Sequence, residues 1–127
     1  MISPVSGAYQ RRKGGGLHAL AAVNLDSREP ISQTRSRIEE AARLHGHDLT
    51  GVVEFRPSVE SGWIFHLIEM VHRHSAHAVI VSHISDVDGA VKAVTGVADL
   101  ISLNEFHAYR PYGPRYVRPS ATKLASA

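Results

Sequence analysis

LHALAAVNLDSREPISQTRSRIEEAARLHG, residues 17–46, decides the architecture. Its first nine residues are apolar except for His18 and Asn24, the pattern of a strand covered on both faces, as in a parallel sheet. Asp26, Ser27, Glu29 and Pro30 then offer cap and first-turn chemistry for a helix. Within that helix Ile31, Ile38, Ala41, Ala42 and Leu44 form one stripe, and Arg35, Arg37, Glu39, Glu40 and Arg43 fill the other faces. Gly46 stands where a helix ends in a left-handed residue.

Moving outward, the same unit repeats. GVVEF, 51–55, reads as a short strand, and Gly62–His74 carries Trp63, Leu67, Met70 and His74 at helical spacing. AHAVIV, 76–81, is another continuous aliphatic strand. Asp86–Val97 reads as a polar turn and a third helix, with Val87, Ala90, Val91 and Val94 on one face. DLISL, 99–103, completes the series as a fourth strand. The predicted order is β-α-β-α-β-α-β: an α/β fold with a mainly parallel sheet of four or five strands between helical layers, because a parallel crossover needs a helix to return the chain. Ligands of such folds gather beyond the carboxyl ends of the strands, here at 24–28, 56–61 and 82–88.

The chain has 127 residues, 43% hydrophobic and 20% charged, which suits one globular domain. It has no cysteine, which excludes disulfides, thiolate metal sites and a cysteine nucleophile. No apolar run approaches a membrane span, and no secretory h-region is visible, so the expected setting is cytoplasmic. The formal charge of +2 is unevenly spread. Residues 1–16, a leader ending in a triple-glycine hinge, hold Arg11, Arg12 and Lys13 and no acid. The body, 17–104, holds 7 basic and 11 acidic side chains. The tail, 105–127, holds Arg110, Arg115, Arg118 and Lys123 against Glu105. Basic arms on an acidic body can track phosphates by counterion release, or merely aid solubility. In the tail, Tyr109, Tyr112 and Tyr116 interleave with the arginines. Such rings can stack on bases, pack back on the sheet or lend a strand to a partner.

The strand-end loops hold the polar residues from which a site could be built: Asn24, Asp26, Ser27, Arg28, Ser82, His83 and Asp86. Ser27 is the one candidate nucleophile, although helix capping explains it equally simply. The first loop lacks the glycines that wrap a phosphate, so no nucleotide cofactor is expected. Nine histidines raise the question of a metal. His45/His47 and His72/His74 are two apart, however, and His66, His74 and His77 fit no HExxH arrangement. No metal site is predicted, and a polar or pH-sensitive surface is the simpler use of these residues.

With these elements in place, the body resembles the catalytic domain of serine recombinases of the resolvase/invertase type. In that family a first strand ends in a Y-A-R-V-S-like motif and leads to a glutamine-bearing helix closed by glycine. Here Gln33 and Gly46 stand in fitting places. The stretch GVVEFRPSVESGWIFHLIEMV is similar to the family's second strand, Ser-Gly loop and following helix, and VIVSHISDVDG stands where the family has a K-L-D-R-L-G-R-like motif. The resemblance implies a three-layer resolvase-like fold with the nucleophile at Ser27 or replaced outright by Asn24 or Asp26. No arginine stands two residues before Ser27, Glu60-Ser61 replaces the family's Arg-Pro, and Ser85, Asp86 and Gly89 stand where an aspartate and two arginines would be. Phosphoryl transfer needs those guanidinium groups to steady the developing charge. The family's long dimerisation helix and DNA-reading helix-turn-helix have no counterpart here.

The sequence therefore predicts a catalytically silent resolvase-like domain, a binding or regulatory module associated with DNA transactions. Its partners would be a protein, a second copy, or nucleic acid through Arg11, Arg12, Lys13, Arg110, Arg115 and Arg118. The alternative is a small α/β enzyme or ligand-binding domain built on Ser27, Asp26, Glu54, Ser82, His83 and Asp86. A hydrogen bond between Ser27 and His83 would favour it.

Overall fold

The structure, a computed structural model, describes residues 17–111. The leader with Arg11, Arg12 and Lys13, and the tail positions Arg115 and Arg118, lie outside the described residues. The elements run β1 (Leu17–Asn24), α1 (Ile31–Leu44), β2 (His47–Phe55), α2 (Trp63–Arg73), β3 (Ala78–Ile80), a 3-10 turn (Ile84–Val87), α3 (Val91–Thr95), β4 (Asp99–Ile101) and β5 (Phe106–His107). They form one sheet of order β2-β1-β3-β4-β5, parallel except for β5, which runs antiparallel to β4.

Alternation along the central strands makes two cores. Ala19, Ala21 and Val23 of β1, with Ala78, Ile80 and Ile101, face Ile38, Ala41 and Ala42 of α1. Leu20 and Ala22, with Val53, Phe55, Val79 and Leu100, face Leu67 and Val71 of α2 and Val94 of α3. A strand buried on both sides has no polar face to spare, hence the nearly unbroken apolar run of 17–25. The alanines on the first face let α1 lie close to the sheet. The ring of Phe55 stacks on Trp63 at 4.7 Å and ties β2 to the start of α2.

Several elements differ from the sequence prediction. The second strand begins at His47 instead of Gly51, because β2 is the edge of the sheet and tolerates the polar run His47–Thr50. Thr50 is an extra residue there: Leu49 pairs with Ala19 and Gly51 with Leu20. A Cβ on Gly51 would come within 2.8 Å of His74 and 3.1 Å of Leu20, so this site accepts no side chain without displacement. The third helix is far shorter than expected. Gly89, with φ of 85°, splits the segment into the 3-10 turn and the five residues of α3, although Val87, Ala90 and Val94 are buried as the pattern required. The helix cap also differs. α1 begins after Pro30 without any side-chain cap, since Asp26, Ser27 and Glu29 are all engaged elsewhere. The sheet, finally, continues past residue 104 into β5. Beyond it the Tyr109 amide donates to Asp99 Oδ1 at 2.7 Å and the Arg110 amide to the Thr95 carbonyl at 2.7 Å. Among the described residues no helix is long and apolar enough to cross a membrane.

Candidate functional site

The carboxyl ends of β1 and β3 are adjacent, so the loops after them share one surface. Its centre is Glu29, whose side chain is only 10% exposed. The Ser82 hydroxyl donates to Glu29 Oε1 at 2.5 Å and the Thr34 hydroxyl donates to the same oxygen at 2.8 Å. His83 Nε2 lies 3.4 Å from Oε2, and Arg37 Nε lies 3.8 Å from it. Burial works to raise the pKa of this carboxyl. The bonds from Ser82, Thr34 and His83, with the nearby imidazole charge, outweigh burial and bring it below the usual value. The guanidinium is less well served, because Arg37 Nε is buried without a hydrogen-bond partner among the described residues.

Around this centre the predicted residues separate into two groups. Asn24 bridges two loops: its amide Nδ2 donates to the Asp86 carbonyl at 2.8 Å and its Oδ1 accepts from the Asp26 amide at 2.8 Å. Asp86 is buried, and its Oδ2 accepts from the His83 amide at 3.3 Å. Burial is the main reason that its pKa is raised; the Glu29 charge adds to it, and the amide bond and His83 oppose it. Ser82, His83, Asp86 and Asn24 thus join Glu29 in one cluster. Asp26 turns the other way. Its carboxylate accepts from the Ser58 amide at 2.8 Å and the Ser58 hydroxyl at 3.0 Å, and it lies 3.8 Å from Arg56 Nη1.

Ser27 makes a local turn, its Oγ accepting from the Glu29 amide at 3.1 Å. No hydrogen bond joins Ser27 to His83, because His83 is directed at Glu29. Arg28 is exposed, with no carboxylate partner among the described residues. Glu54 stands apart from the cluster, 3.8 Å from Arg35, with both side chains about half exposed. Of the predicted cationic tail positions, only Arg110 lies within the described residues.

Sequence reasoning missed the centre. Glu29 looked like a helix-capping residue, Thr34 belonged to no stripe, and Arg37 sat on a polar face. One signal was available, since Thr34 is four residues before Ile38 and therefore on the buried side of α1. Chemically, the cluster is an anion wrapped in donors with a half-exposed imidazole at its rim. Among the described residues, no group of three His, Asp or Glu side chains is arranged to hold a metal ion. No family model, curated protein or solved structure matches the chain.

Proposed function

We propose that the chain is a catalytically silent domain of the serine-recombinase catalytic type, serving as a binding or regulatory module in DNA transactions. The observation that carries this reading is the occupant of the strand-end site. A largely covered, ionised Glu29 takes the centre, and Arg37, the guanidinium beside it, is directed at that carboxylate. A scissile phosphate brought there would meet negative charge where the reaction needs positive charge. Arg56 is similarly engaged with Asp26, and among the described residues no basic group is hydrogen-bonded to the Ser27 hydroxyl. The alternating β-α order and the mainly parallel sheet agree with the resemblance in the body of the chain.

Incubation with supercoiled plasmid, quenched in detergent, tests this directly. The expected result is neither nicked circles nor a protein–DNA adduct, and no difference between the parent chain and Ser27→Ala. An adduct that disappears in Ser27→Ala would overturn the proposal.

The enzyme alternative draws on one feature only. His83 is 45% exposed at the side chain and backed by Glu29, an arrangement that orients an imidazole for proton transfer. Hydrolysis of any ester or phosphoester in a substrate panel, abolished by His83→Asn, would favour it over the silent module.

A further inference from the structure

The two edges of the sheet differ. β5 lays two residues along one of them, whereas β2 lays nine along the other, with only β1 beside it among the described residues. Thr50 is the extra residue of β2, so the regular part of the strand is 51–55. The Leu25 amide donates to the Phe55 carbonyl at 2.8 Å, and this fixes the alternation. Phe55, Val53 and Gly51 turn their backbone groups toward β1, and Val52 and Glu54 turn theirs outward. An open edge of this kind is a template for another strand. Many edges are blunted by lysine or proline, and 51–55 holds neither.

Beside this edge, on the α1 face, the sheet is incompletely covered. Val52 and Leu49 are 49% and 37% exposed, and with Ala21 and Ile38 they floor a shallow groove between β2 and α1. Arg35 and Glu39 line it from the helix, both exposed and about one turn apart. Arg35 Nη2 lies 3.8 Å from Glu54 Oε2, so residue 35 is level with residue 54. Both of those side chains are about half exposed, which leaves the guanidinium open to a second carboxylate. Because α1 returns the chain between two parallel strands, it runs opposite to β2. Four residues of helix rise about 6 Å, close to the rise of two residues of strand. Glu39 is therefore level with Val52, beside which it lines the groove.

These levels make the edge self-complementary. A two-fold axis through Val53 sets β2 antiparallel to β2 of a second copy over 51–55, the regular stretch that Val53 bisects. Val52 and Glu54 of one protomer then meet Glu54 and Val52 of its partner. The outward backbone groups exchange hydrogen bonds, and no carboxylate stands directly opposite another. The same axis passes midway between the levels of Arg35 and Glu39, so each faces the other residue of the partner across the paired strands. An unrelated strand satisfies the backbone groups alone. A second copy also brings a carboxylate to Arg35 and a guanidinium to Glu39. We propose that the chain forms a symmetric dimer through β2, which joins two five-stranded sheets into one, with two Arg35–Glu39 pairs closing over Leu49 and Val52. The interface shares no residue with the Glu29 cluster, so it stands or falls independently of the reading of that site.

The test is sedimentation equilibrium of the full chain from low-micromolar to sub-millimolar concentration. The parent chain should pass from monomer to dimer. Val52→Lys, which sets an ammonium group from each copy against the edge, should raise the dissociation constant about tenfold or more. Arg35→Glu and Glu39→Arg should each weaken association to a similar degree, because like charges then face each other. Their equimolar mixture should recover the association of the parent, since an acidic rim then meets a basic one. A purely structural role for either residue gives no such recovery. Lys92→Glu, on α3 beside β4, should leave association unchanged, and a melting curve for each variant confirms that it is folded. A chain that stays monomeric at every concentration would overturn the proposal and leave the β2 edge to a different strand. So would a dimer insensitive to Val52→Lys, or a mixture of the two reversals no more associated than either alone.

Discussion

A carboxylate that is nine-tenths covered and still ionised has to be held by its neighbours, and at Glu29 those neighbours are identified. Burial alone would push its pKa up, and the donors from Ser82, Thr34 and His83 reverse the direction. The folded-state pKa is therefore depressed, and the sign of its linkage follows. The stability it contributes is fully present above the ordinary glutamate value, about 4.3, and is lost as pH falls through the lower folded value. Thr34→Val keeps the shape of a side chain that is 2% exposed and removes one donor from that carboxylate. The expected cost is about 2 kcal/mol at pH 7, shrinking once the carboxyl is protonated. Urea melts at pH 7 and at a pH low enough to protonate Glu29, followed by its carboxyl NMR signal, check this: a deficit that is equal in both states would mean that the hydroxyl acts through packing and not through the charge. Asp86, on the same surface, has the opposite sign, since its raised pKa makes the ionised form the less stable one when folded.

At the scale of elements, two helix ends show what local chemistry can and cannot reveal. α1 closes with Gly46 at φ of 71°, its amide donating to the Arg43 carbonyl at 3.2 Å. α2 closes in the same left-handed way, but with Ser75 at φ of 50°, its amide donating to His72 and that of Ala76 to Val71. A side chain in that conformation costs about 1–2 kcal/mol. Ser75→Gly should therefore raise the urea midpoint by the equivalent of about 1 kcal/mol, and Gly46→Ser should lower it by a similar amount. Midpoints that move together in the same direction would show that the two exits are not equivalent. Gly46 was legible because it follows an amphipathic helix; Ser75 was not, because nothing in its residue type announces a positive φ. The same contrast runs through the fold. α1 and α2 were readable because burial of one face imposes a helical period, and β1 and β3 because burial of both faces leaves an unbroken apolar run, whereas β5, of two residues, is too short to show either. The third helix was over-read because Val87, Ala90, Val91 and Val94 keep helical spacing across Gly89, where the backbone turns away. The closeness of Asn24, Ser82, His83 and Asp86 was legible from their positions at the ends of adjacent strands. That of Glu29 was not, since its partner Ser82 is 53 residues distant and a capping role explained it locally.

Across the whole molecule, the described ionisable groups with displaced pKa values sit at opposite ends of the sheet. Glu29 and Asp86 occupy the loops beyond its carboxyl edge, and His47 opens β2 at its amino edge. Burial is the main cause that lowers the His47 pKa, with the charge of His45 second. His77 adds to that push, and Asp99 and Asp48 oppose it without prevailing. Its Nε2 is buried with no hydrogen-bond partner among the described residues, so no acceptor compensates a proton placed there. With the folded pKa below the ordinary histidine value of about 6.5, the unfolded chain takes the proton first. The stability tied to His47 is complete above that value and is lost as pH falls below it. The carboxyl end behaves differently over this interval, because Glu29 stays ionised until the solution is more acidic. Acid should therefore weaken the amino edge of the sheet first. Thermal melts from pH 7.5 to pH 5 should show a falling midpoint in the parent chain and a flatter line in His47→Leu, which has no imidazole to protonate at that position. Parallel lines for the two chains would place the acid sensitivity elsewhere among the histidines, and a steeper line for the variant would reverse the sign argued here.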